Sequence, residues 1–240
     1  MNKIRHPAKY SDSLLPVFSE LLKTSELVLD PFAGTGKLRE VRPDAILLEI
    51  EPEWAKINNA LIGNALAMPE EWSSKFDAVC TSPTYGNRLA DHHNAKDGSR
   101  RNSYTHCLGR PLSPDNSGVL QWGERYRDFH TKAWKEVYRV LKPNGLFILN
   151  ISNHIRQKQI VNVAEWHKET ILKLGFIFLS DTLVKTPRLR YGKNSHLRVD
   201  FEHVFCFQKP LTVLTHSTDG KENSSSVKRV KSEDEQIRNR

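Results

Sequence analysis

Asp30-Pro31-Phe32-Ala33-Gly34-Thr35-Gly36 is the stretch that decides the fold, because it follows the apolar run Leu27-Val28-Leu29 and leads toward a helix. A short buried strand that ends in a glycine turn is typical of the first connection in an open α/β sheet. Ligands of such sheets sit beyond the carboxyl ends of the strands, often at this turn. Gly34 and Gly36 permit positive φ angles and a close approach of the backbone to a ligand. The turn therefore predicts a binding site.

Phosphate-binding motifs match this turn poorly. A dinucleotide fingerprint needs a third glycine where Arg39 stands, and a phosphate loop needs Ser or Thr where Leu38 follows Gly36-Lys37. We therefore expect a nucleoside ligand without a pyrophosphate. Glu49 ends the second apolar run, and a carboxylate there can accept two hydrogen bonds from ribose hydroxyls. A solvated glutamate is the alternative, but the glycine turn favours ribose binding. Asn64 ends a possible third strand, where it either hydrogen-bonds a purine edge or forms a turn.

The rest of the chain alternates apolar strands with amphipathic helices. A first helix is predicted after the candidate capping residues Ser11 and Ser13. Further strands are predicted at residues 45–50, 76–81, 146–151, 176–183 and 201–207, and further helices from Pro52, at 126–141 and at 160–174. No regular periodicity is visible from Gly86 to about Gly123. Alternating strands and helices followed by a final strand pair predict an open, mostly parallel α/β sheet.

Composition predicts one domain with a tail. The 240 residues are 38% hydrophobic, no apolar run approaches the ~18 residues of a membrane helix, and no signal peptide is visible before Tyr10. Three cysteines lie far apart, so we expect neither disulfides nor a zinc knuckle. These features predict a soluble, cytoplasmic protein whose domain covers residues 1–210. After Pro210 the sequence turns to Ser, Thr, Asn and mixed charge, so 211–240 is predicted to be a disordered tail.

Positive charge is concentrated in two short segments. The net charge is +8, of which residues 86–110 carry +3 and residues 185–200 carry +4. Clustered positive charge suits a polyanion such as nucleic acid, although a solvated basic loop has the same composition. The first segment also holds Asp91-His92-His93, with His106 and Cys107 further on. These residues lack paired ligand spacing, so we expect no metal site.

Several short motifs in a consistent order resemble those of the S-adenosylmethionine-dependent amino-methyltransferases of DNA. They are His6-Pro7-Ala8-Lys9-Tyr10, the glycine turn at 30–36, Ser82-Pro83-Thr84-Tyr85, Leu141-Lys142-Pro143-Asn144-Gly145 and Glu202-His203-Val204-Phe205-Cys206-Phe207. The resemblance covers about residues 5–209. It implies a Rossmann-like methyltransferase fold, which is an open, mostly parallel seven-stranded sheet with helices on both faces and a closing antiparallel strand.

The resemblance also implies which residues act. The Ser82 hydroxyl and the Pro83 carbonyl would accept hydrogen bonds from an exocyclic base amine, and Tyr85 would stack on a flipped base. Such acceptors bring the poorly nucleophilic nitrogen toward tetrahedral geometry and stabilise the charge that grows during methyl transfer. The residues expected to bind S-adenosylmethionine are Lys9, Tyr10, Asp30, Phe32, Gly34, Gly36, Glu49 and Asn64.

Two positions depart from the family pattern. Thr84 stands where the family has a second proline, which removes a constraint on φ and raises the alternative of an altered or weakened site. Only twelve residues separate Gly36 from Glu49, so the helix between them must be very short.

No large recognition domain accompanies these motifs, so nucleic acid must be contacted by residues 86–125, a basic insert, and by residues 185–198. Arginine interleaved with aromatic residues suits phosphate binding and base stacking. The candidate nucleic-acid-binding residues are Arg88, Arg100, Arg101, Tyr104, Arg190 and Tyr191.

The resemblance thus predicts a site-specific DNA methyltransferase that prefers cytosine N4 over adenine N6, because its motif begins with Ser82. An RNA methyltransferase that acts on an amine such as guanine N2 is one alternative, since the same acceptors serve any exocyclic amine. A nucleic-acid-binding relative that has lost catalysis through Thr84 is the other.

Overall fold

Strands and helices alternate through the part of the chain that the computed structural model describes, which is residues 6–7, 10–86, 104–186 and 199–211. The strands are β1 (Val28–Asp30), β2 (Ile46–Glu49), β3 (Leu61–Ile62), β4 (Phe76–Thr81), β5 (Leu141–Ile151), β6 (His154–Arg156), β7 (Gln159–Val161), β8 (Ile177–Lys185) and β9 (Phe201–Gln208). The α-helices are α1 (Leu15–Leu21), α2 (Pro52–Asn58), α3 (Tyr104–Leu108), α4 (Glu124–Val140) and α5 (Val163–Lys173). Short 3₁₀ helices are formed by Asp12–Leu14, Lys37–Glu40, Glu70–Trp72 and Ser117–Val119.

Seven strands form one sheet in the order β3-β2-β1-β4-β5-β9-β8, and β6 pairs with β7 in a separate hairpin. The pairings among β1 to β5 are parallel, whereas β9 is antiparallel to both β5 and β8. From β1 the chain winds to one side through β2 and β3 and to the other through β4 and β5, so the order reverses between β1 and β4. Ligands bind at the carboxyl edge of such sheets beside this reversal. The predicted Rossmann-like methyltransferase fold is confirmed.

Helices cover both faces of the sheet because each strand alternates its side chains between two cores. On one face lie α4 and α5, with the fully buried Trp134 packed beside Phe147 of β5. On the other face α1 buries Phe18 in a cluster that includes Ile148 of β5. The buried positions of α4 recur every three or four residues, at Tyr126, Phe129, His130, Ala133, Trp134, Val137 and Val140.

Most predicted elements are confirmed, but two boundaries were wrong. The predicted strand at 76–81 coincides with β4, and the very short helix after Gly36 is the 3₁₀ helix Lys37–Glu40. Strand β5 begins at Leu141 and so includes the segment before the strand predicted at 146–151. Ile160 lies in β7 with 59% of its surface exposed, so α5 begins only at Val163.

Two local predictions need further correction. The side chain of Ser11 makes no capping hydrogen bond to the helix backbone, because its Oγ lies 2.9 Å from Ser13 Oγ instead. The segment predicted to lack regular structure contains α3 and the 3₁₀ helix Ser117–Val119. The Asn116 side chain caps this 3₁₀ helix by accepting a hydrogen bond from Gly118 N at 2.8 Å.

The predicted tail after Leu211 lies outside the described residues. None of the helices within the described ranges is long and apolar enough to cross a membrane.

Substitution of Gly36 is expected to cost more than substitution of Gly109. Both have positive φ, +70° and +78°, so Ala strains the backbone at either position by about 1 kcal/mol. A Cβ at Gly36 would also lie 2.7 Å from Leu47 Cδ1, whereas a Cβ at Gly109 would meet nothing within 4 Å. We expect Gly36→Ala to lower the free energy of unfolding by about 1–3 kcal/mol more than Gly109→Ala, measured by urea denaturation. Equal losses would contradict the packing assigned to Gly36.

Candidate active site

A cavity of about 290 Å³ opens at the carboxyl edge of the sheet, beside the reversal between β1 and β4. Its two sides are built from different strands. One side carries the glycine turn after β1 and the ends of β2 and β3; the other carries the Ser82–Tyr85 segment after β4, with side chains from β5 and β9. Among the residues that line it are Tyr10, Phe32, Gly34, Glu49, Asn64, Ser82, Pro83, Tyr85, Asn150 and Glu202.

The first side of the cavity is organised around Glu49. Gly34, with φ of +53°, donates its backbone N–H to Glu49 Oε2 at 2.7 Å, and Glu51 donates its own to Oε1 at 2.9 Å. Burial raises the pKa of Glu49 to about 7, although these two hydrogen bonds act in the opposite direction. Each carboxylate oxygen has two lone pairs, so one on each remains for a ligand. This arrangement fits a pair of ribose hydroxyls.

Two of the predicted cofactor residues lie beneath the glycine turn and do not line the cavity. Asp30 is fully buried and accepts hydrogen bonds from Tyr10 Oη at 3.0 Å, Thr81 Oγ1 at 2.6 Å and Phe32 N at 3.1 Å. Burial raises the pKa of Asp30 to about 6. Gly36 faces the protein interior. Asp30 and Gly36 therefore shape the turn from below.

Asn64 forms the turn that was one of its two predicted roles, and its contact with a purine stays a prediction. Its Oδ1 accepts from Leu66 N at 2.9 Å, which forms a local turn, and its Nδ2 donates to Asp115 Oδ2 at 3.1 Å at the edge of the cavity. Lys9 lies outside the described residues. Tyr10, Phe32, Gly34, Glu49 and Asn64 thus form the part of the predicted cofactor set that surrounds the cavity.

On the second side, Ser82 and Tyr85 join a polar cluster that sequence reasoning missed. Ser82 Oγ lies 3.0 Å from Tyr85 Oη, and Tyr85 Oη lies 3.0 Å from Glu202 Oε2. Asn150 donates to the same Glu202 oxygen at 2.7 Å. Asn150 and Glu202 are 1% and 6% exposed. The signal in the sequence was weak, because each is one of several polar residues within a largely apolar strand.

A chain of buried hydrogen bonds supports Thr84 from behind. Trp134 donates Nε1–H to His167 Nδ1 at 3.0 Å, so the proton of the neutral ring is on Nε2, 2.9 Å from Tyr126 Oη. Tyr126 in turn donates to the Thr84 carbonyl at 2.7 Å. Burial lowers the pKa of His167 well below its ordinary value, which keeps the ring neutral. The Thr84 hydroxyl completes the arrangement by donating to Ser117 O at 3.0 Å.

Glu51 holds the insert against the cavity wall through hydrogen bonds and an ion pair, and it was not among the residues predicted from the sequence. Its fully buried carboxylate accepts from Ser113 N at 2.8 Å and from Asn116 Nδ2 at 2.8 Å, and it forms an ion pair with Arg110 at 2.8 Å. Nearby α3 places Tyr104 against Trp54, with ring centroids 5.9 Å apart. The sequence could not show this, because the partners are more than fifty positions apart.

The predicted nucleic-acid-binding residues are mostly beyond what the structure describes. Arg88, Arg100, Arg101, Arg190 and Tyr191 lie outside the described residues. Tyr104 is described, and it is only 5% exposed within the aromatic cluster, where it also lines the cavity. Tyr104 therefore packs within this cluster at the cavity, and its contact with nucleic acid stays a prediction.

Thr84→Val is expected to lower the free energy of unfolding by about 1 kcal/mol, because it removes the hydrogen bond that joins the Ser82–Tyr85 segment to the insert. Thr131→Val is a matched control, since its hydroxyl donates to Arg127 O within α4 at 2.8 Å. Losing such a bond within one helix costs little. Equal losses for the two variants in urea denaturation would show that Thr84 does not anchor the insert.

Comparisons with known proteins agree with this geometry. A search of the curated proteins found no match. Among solved structures, an S-adenosylmethionine-dependent methyltransferase from Methanosarcina mazei superposes with a TM-score of 0.54 at 13% identity, covering 82% of this chain and 98% of that one. The [4+2]-cyclase SpnF gives 0.52 at 16% identity, covering 84% and 82%. The PH0226 protein from Pyrococcus horikoshii OT3 gives 0.50 at 15% identity, covering 82% and 88%. These similarities show the fold alone.

A family model identifies the chain more closely. The model described as DNA methylase matches residues 76–239, a range that begins at β4, includes the Ser82–Tyr85 segment and continues beyond β9. Members of this family take the methyl group from S-adenosylmethionine. The chain belongs to the DNA methylase family.

Proposed function

We propose that the protein transfers a methyl group from S-adenosylmethionine to an exocyclic amine of a DNA base, with cytosine N4 preferred over adenine N6. The observation that carries this proposal is that one cavity is lined by two sets of residues, which we call half-sites: one suited to the target amine and one suited to the cofactor. The Ser82 hydroxyl and Pro83 stand on one side, and the Gly34 turn with the Glu49 carboxylate stands on the other. The preference for cytosine is supported by the serine that begins the motif.

The residues on the first side are suited to hold the cofactor. Glu49 would accept the ribose hydroxyls, and Gly34 adds no side chain of its own at the turn. The apolar surfaces of Phe32 and Ile50 suit the uncharged parts of the nucleoside. When bound, the cofactor supplies a methyl group that is already activated on a sulfonium. Holding the amine in line and excluding water therefore matter more than a strong base.

The residues on the second side are suited to the amine. Ser82 Oγ and the Pro83 carbonyl would accept its two protons, which turns the nitrogen lone pair toward the methyl group. The target base must leave a duplex to reach the cavity, and the Tyr85 ring would stack on it there.

The direct test is to supply labelled S-adenosylmethionine with unmethylated DNA and total RNA in parallel, followed by digestion and mass spectrometry of the nucleosides. We expect N4-methylcytosine in DNA, and a loss of about 100-fold or more in Ser82→Ala, because one acceptor for the developing charge is removed. Tyr85→Ala should lose the base stacking and fall as well. Ser19→Ala, an exposed serine in α1, is the matched control.

Each other outcome of this test contradicts the proposal in a distinct way. Label only in RNA would establish an RNA methyltransferase. N6-methyladenine alone would overturn the preference for cytosine. No transfer to either, despite cofactor binding, would indicate an impaired relative. A gain in turnover in Thr84→Pro would then support that explanation, whereas the hydrogen bond from the Thr84 hydroxyl to Ser117 predicts a loss.

Cofactor affinity is expected to rise with pH through about 7, where burial places the pKa of Glu49. The ionised carboxylate accepts ribose hydroxyls better than the acid does, so binding at pH 6 should be about fivefold to tenfold weaker than at pH 8. The stability that Glu49 itself contributes has the opposite sign, since its raised pKa favours the folded state at acid pH and that contribution is lost as pH rises.

Isothermal titration calorimetry of wild type and Glu49→Gln across this pH range measures the effect, and the comparison removes any titration of the cofactor itself. The variant should bind more weakly and lose the dependence on pH. Glu71→Gln changes the same charge at an exposed position and should leave the profile unaltered. A profile that Glu49→Gln leaves unaltered would exclude Glu49 as the ribose ligand.

A further inference from the structure

Four polar side chains from β5, β9 and the segment after β4 meet at the second side of the cavity. Ser82 Oγ, Tyr85 Oη and Glu202 Oε2 form a line with successive distances of 3.0 Å and 3.0 Å. The amide nitrogen of Asn150 lies 3.2 Å, 3.0 Å and 2.7 Å from these three atoms in turn. Stacking on a base needs only an aromatic ring, so the three polar neighbours of the Tyr85 hydroxyl call for another explanation.

The chemistry of the four groups sets the direction of every hydrogen bond. An ionised Glu202 can only accept, so Tyr85 donates its one proton to Glu202. Tyr85 then has no proton for Ser82, and the short contact between them requires Ser82 to donate. The same carboxylate orients the Asn150 amide, whose nitrogen must face it. Ser82 Oγ is left with no proton for a substrate and with a lone pair for one.

A buried carboxylate in an apolar strand is costly unless its hydrogen bonds are satisfied. Glu202 is 6% exposed in β9, where Val204, Phe205, Cys206 and Phe207 are all buried in the core. The hydrogen bonds from Tyr85 and Asn150 offset part of this cost. The charge therefore lies two hydrogen bonds from the Ser82 oxygen and makes that oxygen a stronger acceptor, because donors and acceptors in a chain polarise one another.

We propose that Glu202, acting through Tyr85, holds Ser82 as a pure hydrogen-bond acceptor and receives the proton that the amine loses. This inference rests on the proposed methylation of an exocyclic amine. Glu202 does not touch the amine itself, so it is a positioning residue, whereas Ser82 is the group in contact.

The atoms and charges of the step balance. The amine nitrogen bonds to the methyl carbon as the carbon–sulfur bond breaks and leaves its electron pair on sulfur. The nitrogen, now positive, gives a proton to Ser82 Oγ while the Ser82 proton moves to Tyr85 Oη and the Tyr85 proton moves to Glu202. The methylated amine is then neutral, both hydroxyls are restored, and Glu202 is an uncharged acid. Glu202 lines the cavity, so it can release the proton to water.

Two conservative variants separate this role from stacking and from folding. Glu202→Gln keeps an oxygen that can accept from Tyr85 and Asn150 but removes the charge. Tyr85→Phe keeps the ring but breaks the chain. Glu165→Gln, at an exposed position on α5, controls for the loss of one negative charge. Unchanged cofactor binding shows that each variant is folded.

Single-turnover methylation is the first readout. We expect each variant to slow the step by about 100-fold, within the range for a lost proton-transfer group. The double variant should be no slower than either single variant, because both break one chain. Rates within twofold of wild type for Tyr85→Phe or Glu202→Gln would overturn the inference.

The second readout needs neither cofactor nor activity. In protein labelled with ¹³C at tyrosine Cζ, the Tyr85 signal is assigned by its absence from Tyr85→Phe. Loss of the carboxylate should shift this signal in Glu202→Gln and leave it in place in Glu165→Gln. An unshifted signal would overturn the chain. If the wild type methylates nothing, the proposed function fails by itself, and this spectrum still decides whether the chain exists.

Discussion

The hydrogen bond from Thr81 Oγ1 to Asp30 Oδ1, 2.6 Å long, joins the ends of the two strands on which everything else in the site depends. Strands β1 and β4 are adjacent and parallel, with Val28 opposite Ala78 and Leu29 opposite Val79. Their carboxyl ends therefore emerge side by side. One continues into the glycine turn and the other into the Ser82–Tyr85 segment, so a single strand pairing brings two half-sites to one cavity.

The segment that covers this cavity is held by polar anchors more than by its own helices. Helix α3 has only five residues, too few to be stable alone. Glu51 binds the insert through Ser113 and Asn116, and Thr84 binds it through Ser117. Thr84 thus has a defined structural role at the position where the family pattern has proline. The effect of this departure on activity stays a prediction that Thr84→Pro tests.

The fold could be predicted because its signals are local. The buried strand runs and the glycine turn at 30–36 each lie within a few residues, and the motif at 82–85 indicated the acceptor side. The hairpin β6–β7 was missed because its turn places Gln157 and Lys158 at positive φ, +51° and +63°, where Asn and Gly are the usual signal.

The second half of the site could not be predicted in the same way. Asn150 and Glu202 are polar residues within largely apolar strands, and nothing near them in the sequence indicates a partner. Their meaning depends on contacts with Ser82 and Tyr85 across 65 to 117 positions. Only the sheet order, which inserts β9 beside β5, brings them together. The expected roles of Asp30 and Gly36 changed for a related reason, since a strand end can support a turn without facing its ligand.

The most direct test is a crystal structure of the protein with S-adenosylhomocysteine and a DNA oligonucleotide that contains the target base. We expect a flipped cytosine whose N4 lies within about 2.7–3.2 Å of both Ser82 Oγ and the Pro83 carbonyl. The ribose of the cofactor product should be bound by Glu49, and Tyr85 should keep its contact with Glu202. A base that presents a ring nitrogen to Ser82, or a cofactor that avoids Glu49, would contradict the assignment of the two half-sites.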